Sequence, residues 1–139
     1  MQVTAHLVKT LPLLLIFSAV ASAQEPQLHG RILSKEGTRS LRHWRIELRN
    51  TGATAVERVA IGSIQFTQTD LGGAAACSPA VQRPPLPLVL GTVAAGAATT
   101  ATLAVDFSGC SNTAKFTVQV ELTGSGGATG VIRRSNEYR

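Results

Sequence analysis

Aromatic side chains are scarce in this chain: one Trp, one Tyr and four Phe make up 4% of 139 residues. A protein that stacks single-stranded bases needs exposed rings along a cationic groove, and this supply is too thin for one. Acids are scarce as well, with 8 Asp and Glu against 13 Lys and Arg and a formal net charge of +5. A glycosidase needs two carboxylates facing a cleft. Here the acids are spread thinly, mostly at positions that alternate outward along strands. Metal ligands are too few for a site: Cys77 and Cys110 lie far apart in sequence, unlike the close ligand pairs of a zinc site. His29 or His43 with Asp106 is the raw material of a Ser-His-Asp triad, Asp70 being the other aspartate, but no nucleophile elbow accompanies them. "GSGGATG" is rich in glycine, yet no helix-forming pattern follows, so it is a hairpin turn and not a phosphate loop. These scarcities argue against an enzyme, and no cofactor or metal is expected.

Long apolar runs are also lacking, with one exception at the start. Lys9 is followed by "LPLLLIFSAVA" and then by Ala21-Ser22-Ala23 before Gln24. A basic start, an apolar stretch and a small-residue cleavage site make a secretory signal peptide over 1–23. The run is shorter than the roughly 20 residues a membrane-spanning helix needs. Residues 24–139 hold no second such run, so a single secreted or periplasmic domain without a transmembrane segment is expected. In an oxidising compartment the two cysteines are expected to form one disulfide, Cys77 to Cys110.

What remains is alternation. In "KFTVQVELT", Phe116, Val118, Val120 and Leu122 share one parity, and Lys115, Thr117, Gln119 and Glu121 the other. In "TTATLAVDF", Ala101, Leu103, Val105 and Phe107 face inward, with Thr100, Thr102 and Asp106 outward. In "RSLRHWRIELRN", Trp44, Ile46 and Leu48 alternate with His43, Arg45, Glu47 and Arg49. This is how strands with one solvated face are written. "LHGRIL" predicts a first strand, with "KEGT" as its turn. Asn50-Thr51-Gly52 supplies turn chemistry. In "VERVAIGSIQFTQT" the apolar parity switches between Ile61 and Ile64, which predicts a β-bulge or a bend at Gly62-Ser63. Residues 70–87 predict a loop pinned by Cys77, with Pro84, Pro85 and Pro87 excluding a central strand. "LVLGTVAAGAA" is a short strand with a glycine turn, "SGCSN" a turn, and "VIRRSNEYR" a last strand at an edge that Arg133 and Arg134 protect from further pairing. About seven strands at spacings of about 8–12 residues predict an all-β, Ig-like antiparallel sandwich, with a barrel as the runner-up.

The order W-x-I-x-L-x-N-T-G from Trp44, then a bulged strand, then "LPLVLGTVAAGAATTATLAVDF" resembles the bacterial Ig-like modules of the cell-adhesion-related (CARDB-like) group. The matching positions are Asn50, Thr51, Gly52, Gly91, Val93, Gly96 and Thr99. The resemblance covers most of residues 24–139 and rests on structural motifs. It implies a binding role and carries no catalytic residues.

The expected function is thus a non-enzymatic binding or cell-envelope interaction module whose partner is a protein or glycan of the envelope. Two surfaces are candidates: loop 70–87, by its length, and a basic face for an anionic ligand made of Arg42, Arg45, Arg49 and Arg58. Arg39 would lengthen that stripe for nucleic acid, but the missing rings and export argue against such a partner. An alternative is a pilin-like, self-assembling subunit, suggested by the penultimate Tyr138 and by Gly126. A small secreted hydrolase is the lesser alternative.

Overall fold

Every segment written with period-two alternation forms a strand. The structure, a computed structural model, describes residues 12 and 27–139; apart from residue 12, the expected signal peptide lies outside the described residues. The strands are β1 (Leu28–Thr38), β2 (Leu41–Asn50), β3 (Val56–Asp70), β4 (Ala80–Arg83), β5 (Leu88–Val93), β6 (Ala98–Asp106), β7 (Lys115–Thr123) and β8 (Thr129–Glu137). One 3-10 turn, Ser125–Gly127, joins β7 to β8. Two antiparallel sheets result, in the orders β1-β2-β6-β4 and β5-β3-β7-β8. These orders contain the A-B-E-D and C-F-G sheets of an Ig-type sandwich, with β5 added beside β3.

The inward residues fill the space between the sheets. Trp44, Ile46 and Leu48 of β2 and Leu103 and Val105 of β6 meet Val59 and Ile61 of β3 and Phe116, Val118, Val120 and Leu122 of β7, all essentially inaccessible. Each such side chain contributes about 1.5–3 kcal/mol by leaving water. The few rings are concentrated here. Trp44 stacks on Phe107 at 5.8 Å and meets Phe66 edge-on at 5.6 Å, and Phe107 lies 5.7 Å from Phe116. Such pairs add about 0.5–1.5 kcal/mol beyond burial.

The parity switch in β3 is a bulge. The β3–β7 register shifts between Ile61 and Ser63, so Val59 and Ile61 before it, and Ile64 and Phe66 after it, all reach the core. Two expectations need correction. "KEGT" is not the first turn: β1 runs on to Thr38, with Gly37 opposite Arg42, and the chain reverses at Arg39-Ser40. Gly37 keeps its place in the ladder at φ +126, where a Cβ would overlap the carbonyl of Leu41. Residues 70–87 are not one loop either. Ala80–Arg83 add β4 to the exposed edge of β6, which gives eight strands instead of seven. A strand that ends at proline is tolerated there because an edge needs only one set of ladder bonds.

The cysteines form the expected disulfide, Cys77 to Cys110, with Cα atoms 5.2 Å apart. It fastens the 71–79 loop to the β6–β7 turn. A closed loop of 33 residues corresponds to about 3–4 kcal/mol in the chain-entropy account. On one side of the sandwich the sheet edges β1 and β8 come together so closely that a Cβ at Gly130 would strike the carbonyl of Leu28.

Candidate functional site

The outer face of the β1-β2-β6-β4 sheet gathers most of the chemistry. Outward residues of β2 lie opposite outward residues of β1 and β6: Arg49 faces His29 and Ala98, Glu47 faces Arg31 and Thr100, Arg45 faces Thr102, and His43 faces Glu36 and Ala104. On the far side of β6, Arg83 of β4 also pairs with Ala104. The face is therefore a grid of charged and hydroxyl side chains on strands fixed from beneath by the core.

Acids and bases on this grid are unevenly matched. The Glu47 carboxylate accepts from Arg31 Nε at 3.2 Å and lies 3.9 Å from Arg49 Nη2. Arg49 also donates to the carbonyl of Gly96 at 3.1 Å. Asp106 accepts from the Ser108 hydroxyl at 2.5 Å, the Ser108 amide at 2.8 Å and Gln82 Nε2 at 3.1 Å. The Ser108 hydroxyl and amide hold its carboxyl below the usual range; desolvation opposes this and Gln82 assists it. Arg45, His43 and Arg83 make no hydrogen bond or ion pair among the described residues.

Two shallow hollows mark the face. One, of about 340 Å³, is lined by His29, Gly30, Arg31, Glu47 and Arg49. The other, of about 390 Å³, is lined by His43, Arg83, Pro84, Thr102 and Ala104. In the second, His43 and Arg83 flank the short Ala104, which is itself buried.

The sequence-derived basic face divides. Arg45 and Arg49 lie on this grid. Arg42 shares the parity of Trp44 and turns inward at the end of the sandwich, where Nη1 donates to the Gly37 carbonyl at 2.5 Å and Nη2 to the Arg139 carbonyl at 3.5 Å. Arg58 belongs to β3 in the other sheet, at a register shift with φ +49. Arg39 sits in the β1–β2 turn. Five arginines near in sequence therefore occupy four different places, because strand parity and sheet membership override proximity. The 71–79 loop is held by its disulfide, by the Ser111 hydroxyl on the Gly72 carbonyl (2.7 Å) and by the Cys77 amide on Gln68 Oε1 (2.9 Å). Between Leu71 and Ala76 it offers only Gly and Ala, so it supplies shape and little chemistry.

Arg83 and Thr102 were outside the expected set. Arg83 sits just before the prolines, in what reads as a loop. The only hint of a strand there is one large apolar residue, Val81, between Ala80 and Gln82. His43 and Asp106 do share the outer face, but the carboxylate of Asp106 is taken up by Ser108 and Gln82. Among the described residues no group of three or more His, Cys, Asp or Glu is placed to hold a metal, and no helix is long and apolar enough to cross a membrane. No protein-family model, curated protein or solved structure matches the chain.

Proposed function

We propose that this protein is an exported, non-enzymatic binding module of the cell envelope, and that the outer face of the β1-β2-β6-β4 sheet is its contact surface. The observation that carries this reading is that face: an open grid with two shallow hollows and with cations, Arg45 and Arg83, that have no partner among the described residues. Shallow surfaces of this kind suit a partner laid across them. The signal-peptide pattern over 1–23 and a disulfide suited to an oxidising compartment support export. The resemblance to CARDB-like modules supports a binding role. Nucleic acid is a poor partner because Trp44, Phe107 and Phe116 are buried and Phe66 packs against the same core.

The test is recovery of the protein from the exported fraction of its host under non-reducing conditions, with its native mass, its N-terminus and the co-eluting species determined together. The expected result is a chain starting at Gln24, with its disulfide intact, accompanied by envelope protein or glycan. Retention inside the cell with the leader uncleaved overturns the reading. So does a turnover that is lost on His43→Ala or Asp106→Asn while the fold persists. An SDS-resistant ladder of the chain alone would replace it with a self-assembling subunit.

A further inference from the structure

We propose that the hollow over Ala104 is a binding site for a carboxylated sugar unit of an acidic glycan. The proposal rests on the envelope-binding reading and names its ligand and its residues. The hollow holds about 390 Å³, near the lower end of small-ligand sites, at about 300 Å³. One wall, the partly exposed Pro84 ring, is apolar and suits the C–H face of a sugar ring, while Ala104 beneath is buried. Its polar groups are the Arg83 guanidinium, the His43 ring and the Thr102 hydroxyl. A guanidinium is a planar fork of donors that matches a carboxylate with two parallel hydrogen bonds. Arg83 is exposed and has no partner among the described residues, so it is not already spent on an acid of the chain. Thr102 and His43 remain for sugar hydroxyls. Arg45, opposite Thr102 and about 7 Å along β2 from His43, extends the site toward a second acidic unit.

The charged surroundings favour a singly charged group. Asp106 follows Ala104 on the same face but is engaged by Ser108 and Gln82, and Glu36 lies opposite His43. These two acids leave the rim attractive to one carboxylate and less so to a phosphate dianion. A lipid surface is disfavoured because the large exposed apolar side chains, Leu33, Leu71, Val89, Val131 and Tyr138, all lie outside the hollow.

The experiment titrates the disulfide-bonded mature chain with tetragalacturonate, with uncharged maltotetraose, and with phosphatidylglycerol vesicles, at low salt. Arg83→Gln and Thr102→Val are compared with Arg134→Gln, which lies on β8 of the other sheet; native Trp44 fluorescence shows that each variant is folded. We expect tetragalacturonate to bind and maltotetraose not to. Arg83→Gln should weaken binding about tenfold, the scale of one charge-assisted hydrogen bond, Thr102→Val less, and Arg134→Gln less than twofold. Equal binding by Arg83→Gln and Arg134→Gln overturns the site. Equal binding of the two oligosaccharides, or binding to vesicles alone, overturns the ligand class. If the wild-type chain is held by envelope material but not by tetragalacturonate, this assignment fails and the envelope reading stands. If envelope material does not hold it either, the broader reading fails too.

Discussion

A single wholly buried amide, Asn50, joins three loops. Its Nδ2 donates to the carbonyls of Thr54 (2.8 Å) and Val93 (3.0 Å), and its Oδ1 accepts from the Gly52 amide (2.9 Å) and from Gln27 Nε2 (3.3 Å). Its backbone is tied as well, to Ala97 and Gly96. Asn50→Ala removes the side-chain acceptor of the Gly52 amide and a donor from the carbonyls of Val93 and Thr54, of which Thr54 keeps Gln27 Nε2 at 3.2 Å, and should cost about 2–3 kcal/mol. Asn50→Asp sets a carboxylate against two carbonyls and should cost at least as much. Urea midpoints check this; an unshifted midpoint for Asn50→Ala means that water replaces the amide without penalty. Asp106 acts differently, through pH. Its carboxyl titrates below the usual aspartate range in the folded chain, so its contribution to stability is present above the unfolded value, about 3.9. It is lost as pH falls through the lower, folded pKa. The stability of Asp106→Asn should therefore fall less steeply than wild type below about pH 4, and the two should run parallel above pH 5. Thermal scans between pH 2.5 and 6 read this directly, and parallel curves throughout would remove the Ser108 contacts as the cause.

At the scale of the element, β8 is lightly anchored by apolar burial: Ile132 is its one large core residue, and its later positions are mostly exposed. The strand is secured at its end instead. Lys35 of β1 reaches Glu137 at 2.5 Å and the Tyr138 carbonyl at 2.7 Å, with its ammonium 5.2 Å from the centre of the Trp44 ring. Arg139 donates to Asn112, and Arg42 reaches the Arg139 carbonyl. The ion pair is largely sheltered, its side chains 22% and 23% exposed, so it should exceed an ordinary surface pair, which is worth about 0–1 kcal/mol. A double-mutant cycle of Lys35→Met and Glu137→Gln should give a coupling of about 1–2 kcal/mol. Amide exchange in 131–137 should speed up in either single variant, more than in β7. A coupling near zero would mean that β8 is held by its ladder alone. Lys35 is on the page of the sequence only as part of "KEGT", which has the composition of a turn. Its partner is at the other end of the chain, and no local pattern joins the two.

At the scale of the whole molecule, what the sequence discloses follows from range. Period-two alternation is local, so the strands of Trp44, Leu103 and Phe116, the Gly62 bulge and the two-sheet class were legible. Pairing two cysteines needs only their number and an oxidising compartment, so Cys77–Cys110 was legible too. Sheet membership is non-local, so nothing in the local sequence separates Arg58 from Arg45 although a different sheet carries it. The hollow over Ala104 needs β2, β6 and β4 side by side, and the edge strand β4 is too short to show any period. One further consequence belongs to the molecule as a unit. The chain has one Trp, fully buried on β2 of one sheet, and its ring meets Phe66 of β3 in the other. Its fluorescence therefore reports the docking of the two sheets, while far-ultraviolet circular dichroism reports the strands. All the large buried side chains belong to one cluster, so the sheets have no separate cores on which to persist apart. The two signals should share a single urea midpoint, with the disulfide intact and again, at lower urea, in Cys77→Ala/Cys110→Ala. A fluorescence transition that precedes loss of the strand signal would show that the sheets separate before they melt, and that the shared core is not the cooperative unit.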